Sequence, residues 1–170
     1  MKDLASLAKR EGKSEISVPK TISGNYAVVN SLEQVLRVYM PLIVQIDGKK
    51  SRLTTDGLSI NTWYQARVLE NLSKRPLPAF VSPDFEPALS PELTAPNDFF
   101  LIHNSGGVIT IDGMLVKTSE TPVALEVGQQ YLLFIRFDDN RNGDLTRTAS
   151  LSLGRASVFN YTAKQSSSVP

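Results

Sequence analysis

The sequence predicts a mainly β fold: a small closed or partly open β-barrel with one short helix before its first barrel strand. Three observations lead there. From position 42 onward, apolar residues recur with a period of two. The apolar runs are separated by turn dipeptides, among them Asp56-Gly57, Gly106-Gly107 and Asp112-Gly113. Helices do not alternate with strands, as a βαβ fold requires.

The elements follow in order. Residues 1–24 form a polar, basic arm with Lys2, Lys9, Arg10, Lys13 and Lys20, in which Leu4, Leu7 and Ala8 suit a short helix. The main helix spans Ser31 to Met40. Ser31 caps it, Gln34 stands at capping-box spacing, and Leu32, Val35, Leu36 and Tyr39 share one face before Pro41 stops it. Leu42 to Ile46 reads as a strand that ends at a hairpin-type turn, Asp47-Gly48. Ile60 to Glu70 is a second long strand, with Trp63 or Tyr64 facing the core.

Residues 75–97 hold six of the ten prolines and read as a long acidic loop. Strands resume at Phe99–His103, Val108–Ile111 and Met114–Val116. Tyr131 to Phe137 is the most hydrophobic run and reads as a central strand entered through a Gly128 turn. Residues 138–143 form a hairpin loop. Ala149–Leu153 and Ala156–Tyr161 close the sheet. The chain thus divides into the arm 1–24, a single barrel domain 25–163 and a disordered tail 164–170.

Composition removes several function classes. The chain has 170 residues, no cysteine, one histidine and a formal net charge of +1. Disulfide scaffolds, thiolate metal sites and cysteine nucleophiles are excluded. The charge balance excludes a strongly basic nucleic-acid protein. No apolar stretch is long enough for a membrane span, and none resembles a secretory signal. Two compartments fit: exported, with the signal already removed, or cytoplasmic.

Candidate chemistry is sparse. Asp138, Asn140, Asn142 and Asp144 match the opening of a calcium loop, but Ala149 stands where a bidentate Glu belongs, and Asn142-Gly143 also suits a plain hairpin. His103, Ser105 and Asp112 are the only material for a nucleophilic triad, without a nucleophile elbow. The carboxylate pairs Asp138/Asp139 and Glu86/Glu92 read as solvated loop charge. Gly106-Gly107 lacks the lysine and helix of a phosphate cradle. Trp63, Tyr64 and Arg67 with Lys49, Lys50 and Arg52 are the material for a single-strand nucleic-acid face.

Some turn and core residues carry a resemblance. Ser31-Leu32-Glu33, Leu42-Ile43-Val44, Asp56-Gly57, Ile60 to Tyr64, Gly106-Gly107 and Gly128 to Ile135 resemble a loosely defined group of bacterial, usually exported, functionally uncharacterised proteins. The likeness covers about residues 31–162 and implies an OB-like five-stranded barrel, distantly similar to the inhibitory domain of tissue inhibitors of metalloproteinases. That family chelates the protease zinc through an N-terminal cysteine, and this chain has none.

The expectation is therefore a non-enzymatic binding module of a bacterial, exported protein, with no cofactor and a protein or peptide partner. Its expected contact residues are Trp63 and Tyr64, if exposed, and Phe80 and Phe85 in the proline-rich loop. Two alternatives stand beside it: an OB-like single-strand nucleic-acid binder, and a hydrolase using His103.

Overall fold

The computed structural model describes residues 1–18, 31–79, 98–118, 123–139, 143, 145–151 and 158–161. The described residues are mainly β. They comprise α1 (Lys2–Arg10), β1 (Glu15–Val18), α2 (Leu32–Val38), β2 (Met40–Leu53), β3 (Ile60–Asn71), β4 (Phe99–Ser105), β5 (Val108–Ile111), β6 (Met114–Thr118), β7 (Gln130–Asp139), β8 (Leu145–Ser150) and β9 (Val158–Asn160).

The large sheet closes on itself. β2 pairs with β3, β3 with β4, β4 with β8, β8 with β7, and β7 returns to β2. Only the β4–β8 contact in this ring is parallel. β9 adds to β7 opposite Tyr131–Leu133. The period-two pattern is the cause: Leu42, Val44 and Ile46 of β2, Tyr64 and Ala66 of β3, and Leu133, Ile135 and Phe137 of β7 point into one core with Phe100, Ile102 and Ala149. Phe100 and Phe137 meet edge to face at 5.3 Å between ring centroids.

Two local readings change. Asp47-Gly48 is not a turn: β2 runs straight through it, with a register shift between Ile46 and Gly48. A tight hairpin of the favoured type needs positive φ at its centre, and neither residue has it, so the dipeptide makes a bulge. The hairpin closes instead at 54–59, where the Thr54 amide donates to the Ser59 carbonyl at 2.8 Å. Asp56 accepts from the Thr54 hydroxyl and the Leu58 amide, and those bonds hold its carboxyl below the usual range. α2 begins as expected, with the Ser31 hydroxyl accepting from the Gln34 amide at 3.2 Å. It then buries little of its apolar face: Tyr39 is buried, whereas Leu32 and Leu36 are exposed.

Residues 1–18 build a second, smaller core. β1 pairs in parallel with β6, which pairs with β5. Ala5 and Ala8 of α1 pack with Ile60, Met114 and Val116. Leu4 and Leu7, two of the residues that suggest this helix in the sequence, lie exposed beside that face.

The base of the proline-rich loop is pinned. Arg75 donates to the Arg37 and Tyr39 carbonyls at the end of α2, and Arg147 donates to the Pro78 carbonyl at 2.6 Å and to Phe99 at 3.3 Å. Residues 80–97 lie outside the described residues, and with them Phe80, Phe85, Glu86 and Glu92. The tail 164–170 lies outside them as well.

Candidate functional site: an aromatic face on the ring

Strand register places one row of side chains across the outer face of the ring. Lys50 of β2 stands opposite Trp63 of β3, and Trp63 opposite His103 of β4. His103 stands opposite Ser150 of β8, which faces Arg136 of β7. The indole and imidazole rings lie 4.8 Å apart at a tilt of 39°. The next row holds Arg52, Asn61 and Ser105. A cleft of about 390 Å³ opens beside Trp63, bordered by Arg52, Asn61, Thr54 and Thr55.

This arrangement offers a tilted, half-buried aromatic pair, flanking cations and several hydrogen-bonding groups. Aromatic faces of that kind stack on planar ligand groups or pack against apolar side chains. The chain contains a single Trp and a single His, and both contribute to this one surface.

Tyr64 must be removed from the contact residues. Alternation along β3 turns it inward, where it is fully buried. Lys49 lies over its ring at 5.5 Å from the centroid. Its hydroxyl is buried and meets no partner at hydrogen-bond geometry among the described residues; the Leu125 backbone and the Asn104 side chain are the polar groups that act on it. Burial raises its pKa. An unsatisfied buried hydroxyl contributes nothing to offset its desolvation. Tyr64→Phe is therefore expected to leave stability unchanged or to raise it by about 1 kcal/mol, as a urea melt will show.

No family model, curated protein or solved structure matches the chain. The functional reading therefore rests on the chain's own residues.

The other candidates are scattered. His103 and Ser105 lie two residues apart on β4. Asp112 instead occupies the exposed β5–β6 turn, where its carbonyl accepts from Lys9 at 2.7 Å. Of the calcium-loop residues, Asp138 ends the outer face of β7, while Asn140, Asn142 and Asp144 lie outside the described residues. Among the described residues no group of three or more acidic or His side chains is placed to hold a metal ion. No helix among them is long and apolar enough to cross a membrane. Arg67, offered for a nucleic-acid face, is engaged by Asp47 at 2.8 Å.

Sequence reasoning passed over His103 as a partner of Trp63, and it left Ser150 and Arg136 out of the face. The hairpin half of the row was within reach. Once the turn is set at 54–59, Lys50 falls opposite Trp63 and Arg52 opposite Asn61. The other half depends on the parallel β4–β8 contact, which leaves no local signal in the sequence.

Proposed function

We propose that this protein is a non-enzymatic binding module, that its ring of strands is an OB-like barrel, and that it meets its partner on the outer face around Trp63. The OB-like reading is supported by the strand order, with one parallel pair, β4–β8, in an otherwise antiparallel ring. The single observation that carries the functional reading is the Trp63–His103 pair at 4.8 Å, set on a strand face instead of in a core. We assign the partner to the protein or peptide class and the compartment to export from a bacterial cell. The likeness to tissue inhibitors of metalloproteinases would extend to the fold alone.

A second reading, single-strand nucleic-acid binding, is favoured by one feature: Lys50 and Arg52 flank Trp63 on the same face. Alternating cations and rings suit a stacked, phosphate-bearing strand.

Trp63 emission separates the two. Titration with a mixed-sequence oligonucleotide at about 50 mM salt, where electrostatic binding is strong, is expected to leave the emission unchanged. A salt-sensitive shift would instead establish the nucleic-acid reading. For the primary reading, Trp63→Ala is expected to weaken partner retention at least about tenfold, the effect of losing an aromatic anchor. Unchanged retention would remove this face from the binding surface.

A further inference from the structure

A second cleft, which meets the first at Arg52 and Leu53, is bordered by two strand edges that lack partners among the described residues. β5 is an edge strand of the small sheet. The Thr118 amide donates to the Gly107 carbonyl at 3.1 Å. Counting along the register from that bond, Ile109 and Ile111 bond to β6. Val108 and Thr110 therefore aim their N–H and C=O groups away from β6.

β2 presents the matching edge. The Thr54–Ser59 bond fixes the alternation, so Arg52 bonds to Asn61, and Ser51 and Leu53 turn their main-chain groups away from β3. The return strand β7 covers β2 only over Met40–Gln45 and leaves this stretch open. Ser51, Leu53, Ile109 and Thr110 border one cleft of about 480 Å³, with Lys2, Arg52 and Asp112 also on its walls. The two edges converge at Gly107, which packs directly against Ser51 and Thr62.

An open main-chain edge is complementary to another main chain, and strand addition is the recurring way such edges are used. Here apolar side chains line the floor and two cations stand against one carboxylate. We propose that this cleft takes an extended, acidic peptide segment of a partner protein, which adds to the β5 edge as a further strand. The proposal shares Arg52 with the rim of the Trp63 face, but its test reads the β5 edge at Thr110, so either can fail without the other.

The test uses the full chain and a capped heptapeptide alternating valine and glutamate. Amide hydrogen exchange is followed by NMR while Trp63 emission is recorded in the same titration. The expected result is slowed exchange at Val108 and Thr110, whose amides face the open edge. Thr110→Pro removes an outward N–H that β6 does not use, a substitution edge strands tolerate, and is expected to weaken the peptide at least about tenfold. If that variant fails to fold, a peptide N-methylated at alternate residues makes the same test on the native chain: it is expected not to bind. No binding of the parent peptide at about 1 mM, or equal binding of the N-methylated one, overturns the proposal. A peptide that shifts Trp63 emission while Thr110 exchange stays fast also overturns it, and counts for the Trp63 face.

Discussion

Gly107→Ala is expected to destabilise the protein by about 2–5 kcal/mol, the sum of backbone strain and overpacking. Gly107 has φ of +144°, a conformation that side chains rarely adopt. A Cβ there would lie 2.2 Å from the Thr62 hydroxyl and 2.8 Å from that of Ser51. Neither oxygen can move cheaply. The two hydroxyls bond each other at 2.7 Å, and Thr62 also donates to the Gly106 carbonyl at 2.6 Å. Thr62 is fully buried. The substitution therefore strains the backbone and breaks a satisfied polar cluster where the two sheets join. At roughly 2–4 °C per kcal/mol for a chain of this size, the melting temperature should fall by about 5–15 °C. A thermal melt within about 2 °C of the native protein, less than 1 kcal/mol, would show that the junction is looser than described.

Asp138→Asn should act in the opposite direction at neutral pH. Burial pushes the Asp138 carboxyl up to about 6, aided by the neighbouring Asp139, while Arg136 and a Ser150 hydrogen bond oppose the shift. The folded state thus holds this proton more tightly than the unfolded chain, whose ordinary value is 3.8. The contribution of Asp138 is most favourable below about pH 4 and is lost as pH rises through about 6. With allowance for solvent screening of a partly exposed group, the loss is about 1–2 kcal/mol. Asp138→Asn is expected to be more stable than the native chain by that amount at pH 7, with the difference gone at pH 4. Paired urea melts across this range will show it. A difference constant with pH would mean that Asp138 ionises normally.

Local features of the fold were legible, and long-range ones were not. The β5–β6 hairpin follows directly from Asp112-Gly113: both residues have positive φ, 50° and 81°, as the favoured two-residue turn demands. β7 follows from the alternation of Tyr131, Leu133, Ile135 and Phe137, all buried. Asp47-Gly48 misled because the same dipeptide serves a bulge when tertiary pairing keeps the strand extended. α2 misled in another way. Its spacing describes an amphipathic face correctly, but spacing does not say whether anything packs against that face. The site was legible only in part. Trp63 could be singled out, and alternation allowed either Trp63 or Tyr64 to face the core. Burial of Ala66 and Tyr64 decides it. His103 reaches Trp63 only through the β3–β4 register, and Ser150 only through a parallel contact between distant strands.

Trp63 is the centre of the proposed binding surface. As the only tryptophan, it can be followed in the unmodified protein by acrylamide quenching of its emission, with the partner absent and at saturation. The partner is expected to shield the indole and lower the quenching constant at least about twofold, as burial of a central aromatic anchor requires. Quenching that stays the same with the partner fully bound would place the contact elsewhere on the molecule.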